Sequence, residues 1–161
     1  SPEWSKERLR ALLFGEPVKE LRGESWAKGT AQGPLVVSNL TVASHLLGSR
    51  HIPNLKGAIL VLEDVNEEPY RVDRMLTHWR LTGALQNLAG LAFGNFKYEH
   101  SKEEQFESFS LNEILIDRSM DLDIPVVGNL PVGHCNGNAA IPLGRQGLID
   151  GNKGILKVLP S

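Results

Sequence analysis

The 161-residue chain has one cysteine, Cys135, so no intrachain disulfide framework is available; that fits a reducing compartment. Aromatic residues make up only 6% and are scattered, which leaves no platform for stacking bases. A surplus of one charge is also missing: 17 Lys and Arg stand against 19 Asp and Glu, for a formal charge of -2. That balance argues against nucleic acid as a partner, and no like-charge block reads as an interaction tail. Every apolar run is far shorter than a membrane span, so no membrane association is expected. The opening "SPEWSKERLR" has no apolar targeting core, and it starts on Ser1 instead of Met; the expectation is a fragment or processed product.

What is present suits one domain with a real core: 41% hydrophobic and 22% charged residues over a length short for two domains. "SKERLRALLF" places Leu9, Leu12 and Leu13 on one helical face, with Ser5 as a cap. "VKELRGESWAKGTAQGPLVV" is punctuated by glycine and reads as short strands or loops. "SNLTVASHLLGS" reads as a helix with Leu40, Ala43 and Leu47 inward, ended by Gly48. "GAILVLED" is a strand buried on both faces, because its aliphatics are consecutive and not alternate.

After Pro69 the helical period returns, with Val72, Met75, Leu76 and Trp79 on one side and Gly83 at the end. "LAGLAFGNF" is another apolar strand, and "HSKEEQFESFS" is polar and reads as loop. Ser110 and Glu113 form a capping-box signal for a helix through Leu115 and Ile116. "DIPVVGN" is a third short buried strand, and "LIDGNKGILKVLP" a hairpin. Strands and helices alternate without a repeat, which predicts an α/β domain with added hairpin strands.

Three strand exits carry polar chemistry: Glu63–Asp64, then "GNF" at Gly94 to Phe96, then "GNLPVGHCNGN" around His134. Ligands bind beyond the carboxyl ends of strands in α/β sheets, so Glu63 and His134 are candidates for a carboxylate–imidazole pair. The plainer readings are a solvated strand end and, for Glu67 or Glu68, favourable charge at the next helix N-terminus. His45 and His78 fall in helices, and His51 and His100 in loops. Cys135 beside His134 completes no metal-ligand set, and neither a metal nor a cofactor is expected. Gly128, Gly133 and Gly137 match no phosphate-binding loop. A Glu–His pair needs a nucleophile, yet the chain has no GxSxG elbow. Ser38 is the nearest candidate, and a helix cap its commoner role.

Four blocks resemble the C-terminal domain of the LD-carboxypeptidase family, whose relatives include the microcin-immunity peptidases. They are "GPLVVSNLTVASHLLGS", "GAILVLEDVNEEPYRVDRML", "GLAFGNF" and "IPVVGNLPVGHCNGNAAIPLG", in the family's order. The chain departs from the family pattern at Ser38, where glycine is usual, and at Ser49, where threonine is usual; Asn39 keeps the asparagine–leucine helix entry. The resemblance implies a swivelling-type β/β/α domain, with a mixed sheet or partly closed barrel. It also implies that residues 1–161 are the C-terminal domain of a longer protein, whose separate N-terminal domain holds the nucleophilic serine and the oxyanion hole.

By that resemblance Glu63 and His134 are the catalytic residues, while Asp64, Glu67 and Arg71 carry no assigned catalytic role. The implied reaction is serine hydrolysis of a small peptide with a free carboxylate, releasing terminal D-alanine from murein tetrapeptide across an L-to-D bond. The setting would be cytoplasmic, the partners the protein's own N-terminal domain and the peptide, and a homodimer a possible assembly. The isolated chain is then expected to be inactive. Two alternatives stand beside this reading: a peptidase acting on peptidyl-nucleotide antibiotics, and a noncatalytic binding or regulatory module on the same scaffold.

Overall fold

A computed structural model describes residues 1–98 and 110–160. The chain runs α1 (Glu3–Leu13), β1 (Leu21–Arg22), β2 (Glu24–Ala27), β3 (Thr30–Asn39), α2 (Leu40–Ser44), β4 (Ile59–Val65) and α3 (Pro69–Leu81). It continues with β5 (Gly90–Lys97), α4 (Leu111–Asp117), β6 (Val126–Gly128), β7 (Gln146–Asp150) and β8 (Ile155–Val158). The strands form one mixed eight-stranded sheet in the order β1-β8-β7-β3-β4-β5-β6-β2. Its two edge strands are neighbours in sequence, so the sheet curls until its ends meet: Gly23 N–H donates to Gly154 and Gly151 N–H to Gly29, both at 2.8 Å. The result is the expected α/β domain, a nearly closed barrel with helices against it.

β4 explains why the sheet holds together. Its residues alternate sides, as a strand requires. Leu60 and Leu62 join Leu40, Val72, Leu76, Trp79, Leu91 and Phe93 on the helix side. Ile59 and Val61 join Leu35, Ala92, Val127, Leu130 and Ile149 inside the curl. A strand flanked by parallel neighbours on both sides has no solvent face, which is why its aliphatics run consecutively. α3 lays Val72, Leu76 and Trp79 on that sheet, and Trp79 Nε1 donates to Ser44 Oγ at 2.8 Å, tying α3 to α2.

Three sequence readings change. The segment around "TAQGPLVV" contains a single ten-residue strand, β3. Its glycine and proline mark a change of partner: residues 30–34 pair with β7 antiparallel, and 35–39 pair with β4 parallel. Pro34 sits where one ladder ends and the other begins, so its missing N–H interrupts neither. Ser38 is the penultimate residue of this strand and not a cap; Asn39 caps α2, accepting from Val42 N–H at 3.0 Å.

The third change is α1. Ser5 does not cap it but is buried with Arg8, while on the leucine face Leu9 and Leu13 are exposed and Leu12 is half-buried. Beneath α1 lies the irregular segment 133–140, whose carbonyls need donors more than they need aliphatic cover. The Ser110 capping box, the helix it opens and the terminal hairpin are all as expected. The polar stretch read as loop falls, apart from Ser110, outside the described residues. No helix among the described residues is long and apolar enough to cross a membrane.

Candidate functional site

The alternation of β4 sends its two terminal acids to different places. Glu63 shares the parity of Ile59 and Val61 and so faces the mouth of the curl; Asp64 shares that of Leu60 and Leu62 and faces the helices. A bulge widens the sheet here. The register moves from Leu62 opposite Phe93 to Asp64 opposite Phe96, so two residues, Gly94 and Asn95, stand against Glu63.

After β6 the chain crosses this gap along β5: Leu130 N–H donates to Phe93 at 3.0 Å, and Asn95 N–H to Val132 at 2.7 Å. Gly133 follows at φ +105°, a left-handed conformation that glycine tolerates best. A Cβ there would lie 2.5 Å from Glu63 Oε2, so the backbone passes Glu63 only because the side chain is absent. His134 comes next, with Nδ1 2.8 Å from Glu63 Oε2. The carboxylate is sheltered at 10% side-chain exposure, whereas the imidazole is open at 57%.

With Nδ1–H donated to Glu63, Nε2 is left as the acceptor, and no hydrogen bond to a described residue engages it. The two side chains share a cleft of about 330 Å³ with Ser38, Asn39, Gly133 and Asn138. This arrangement has the chemical form of an oriented general base: a buried carboxylate fixing one tautomer, and a free nitrogen presented to a cavity.

Asn39 is the cross-strand partner of Glu63 in the parallel ladder. Its Nδ2 donates to Glu63 Oε1 at 3.3 Å and to Asp64 Oδ1 at 3.0 Å, so one amide bridges both acids. Asp64 Oδ2 accepts Thr41 N–H at 2.9 Å and Thr41 Oγ1–H at 2.7 Å. Asp64 thus secures the start of α2 and gives the second acid a structural job. The resemblance marks Asn39 only as part of the helix entry; its position beside Glu63 depends on strand register, which local pattern does not reveal.

Arg71 makes local ion pairs with Glu67 at 3.9 Å and Glu68 at 3.3 Å on an exposed helix end, where solvent screens them and little stability is gained. His45, His51 and His78 take no part in the cleft. Ser38 lines it, but its hydroxyl donates to Asn39 O at 3.2 Å and makes no bond to His134. Cys135 is half-buried, and burial first, then the charge of Glu63, push its thiol pKa up. That disfavours the thiolate, so Cys135 is poorly suited to attack a substrate. Among the described residues no group of three His, Cys, Asp or Glu side chains is placed to hold a metal ion.

The family model for the LD-carboxypeptidase C-terminal domain matches residues 32–149, which takes in both members of the pair. The chain belongs to the LD-carboxypeptidase family. A Synechocystis protein carrying a carboxypeptidase name is 48% identical over 98% of this chain and 52% of its own length. A murein tetrapeptide carboxypeptidase of Pseudomonas aeruginosa is 34% identical over 92% of this chain and 47% of its own. The crystal structure of a muramoyltetrapeptide carboxypeptidase from Oxalobacter formigenes superposes with a TM-score of 0.84 at 26% identity, covering 98% of this chain and 54% of that one. This LD-carboxypeptidase domain spans about half the length of the curated relatives it matches.

Proposed function

We propose that residues 1–161 act as the C-terminal domain of a serine carboxypeptidase, supplying the glutamate and histidine of a Ser–Glu–His triad. The observation that carries this reading is the 2.8 Å contact between Glu63 Oε2 and His134 Nδ1, in a cleft where no described residue engages Nε2. The attacking serine belongs, in this reading, to an upstream domain across that cleft. The substrate class follows the relatives named for murein tetrapeptide: a short peptide ending in D-alanine.

His134 Nε2 would take the proton of the serine hydroxyl as its oxygen bonds to the scissile carbonyl carbon. Glu63 stabilises the imidazolium that results. His134 then returns the proton to the departing amine of D-alanine as the C–N bond breaks. Water, deprotonated by the same nitrogen, releases the acyl group and restores the serine.

The test uses the full-length protein and follows D-alanine release from murein tetrapeptide. Glu63→Ala and His134→Ala should each lower kcat by about a thousandfold or more. Near-normal rates in both variants would sink the assignment and favour a noncatalytic module. Turnover of a peptidyl nucleotide but not of the tetrapeptide would keep the pair and replace the substrate.

A further inference from the structure

α1 is built inside out relative to an ordinary surface helix. Its buried face consists of Ser5 and Arg8, and Arg8 is only 7% exposed. Among the described residues no carboxylate pairs with this guanidinium: Nε donates to Ala140 O at 2.8 Å, Nη1 donates to Lys19 O at 2.6 Å, and Nη2 has no partner there. Burial holds its pKa below the usual arginine value, as expected for a cation that has lost water. Burying an unpaired arginine is costly, and an apolar side chain would cover the same ground at less expense. Its partners show what the arrangement achieves.

Three contacts of this helix fall on one short segment. Trp4 lies against Gly137, where an added Cβ would come 2.5 Å from the indole. The Ser5 hydroxyl donates to Asn138 O, and Arg8 to Ala140 O. Asn138 in turn accepts Gly133 N–H on its Oδ1 at 2.9 Å, and Gly133 is the residue packed on Glu63 immediately before His134. A continuous path therefore runs from α1 through Asn138 to the residue beside the pair. Arg8 also ties the middle of the helix to the loop before β1, through Lys19 O.

The geometry points to Ser5 and Arg8 as positioning residues that hold the 133–140 segment so that His134 Nδ1 stays on Glu63. This rests on the catalytic reading above for its effect on turnover, but not for its effect on the imidazole. The segment 129–140 contains no helix or strand, so it is held by single hydrogen bonds such as Ala139 N–H to Pro131 O and not by a continuous ladder. A displacement of about 1 Å at a proton-transferring group is enough for roughly a hundredfold in rate.

Two readouts decide it. In the 161-residue chain, nitrogen-15 spectra of the His134 ring should show one tautomer, with Nδ1 protonated and Nε2 not. Arg8→Gln and Ser5→Ala should draw the two nitrogen shifts together, and Arg8→Lys and Ser5→Thr should restore their separation. Leu9→Gln, on the outward face, should leave them unmoved. In the full-length protein, kcat for D-alanine release should fall about a hundredfold in Arg8→Gln and about tenfold in Ser5→Ala, with KM within about threefold.

Ser5→Ala removes a single hydroxyl and keeps the test open if Arg8→Gln does not fold. A lower Tm with wild-type ring shifts and wild-type kcat overturns the proposal, because that is what a merely structural contact would do. Absence of D-alanine release from the wild-type protein would defeat the proposed function instead, and the ring shifts would still decide whether α1 holds the histidine.

Discussion

α3 and α1 are both amphipathic helices, and they meet the fold in opposite senses. α3 buries Val72, Leu76 and Trp79 on the sheet and turns its charges to water. α1 buries Ser5 and Arg8 on a loop and turns Leu9 and Leu13 to water. The difference lies in what each one covers. Against a sheet whose backbone is already paired, a helix gains most from burying hydrocarbon. Against the 133–140 segment, whose carbonyls have no ladder to satisfy them, it gains more by donating hydrogen bonds. Each helix supports one wall of the cleft: α3 backs the strand that carries Glu63, and α1 backs the segment that carries His134.

The α3 side should prove the more costly to break. Trp79 is fully buried, packs in the main apolar cluster and donates to Ser44 Oγ. Trp79→Ala removes that hydrocarbon, leaves a cavity and strands the Ser44 contact. Urea unfolding of the 161-residue chain should show a loss of about 3–5 kcal/mol. A loss below about 1 kcal/mol would mean that α3 does not carry the sheet in the way described.

On the α1 side the most sensitive position is Gly133. Alanine there would hold a positive φ unfavourable to side chains, and its Cβ would press on the Glu63 carboxylate. Gly133→Ala should cost about 1–3 kcal/mol in the same urea experiment. It should also disturb the pair, so that the His134 ring no longer shows a single tautomer. Stability near that of wild type with an unchanged ring spectrum would show that the segment can shift without effect, and would weaken the contrast between a rigid strand wall and a held loop wall.

Much of this was legible from residues alone, and the limits have physical causes. The consecutive aliphatics of β4 identified a strand buried on both faces, since no other element of that length needs them. The stripe of α3 and the capping box of α4 were visible because each depends on neighbours within a turn or two. Motif resemblance singled out Glu63 and His134, and the structure brings them within hydrogen-bonding distance.

The Asn39 bridge, the β5 bulge and the path from Ser5 to Gly133 were not legible, because they join residues far apart in the chain. α1 is the sharpest case. Periodicity located its leucine stripe but carried no information on what lies beneath the helix, and that surface comes from more than 130 residues downstream.

The smallest expected effect tests the same point directly. Leu13 is 75% exposed at the end of α1, in line with the apolar stripe that periodicity would send inward. If that stripe were packed, Leu13→Gln would remove buried hydrocarbon and cost about 2 kcal/mol or more. With the stripe outward, urea unfolding of the 161-residue chain should change by no more than about 0.5 kcal/mol. Leu76→Gln, the same substitution on the sheet-facing stripe of α3, provides the matched control, because it places an amide in the apolar cluster. Equal losses at the two positions would mean that α1 packs as α3 does, and the inverted orientation of α1 would have to be abandoned.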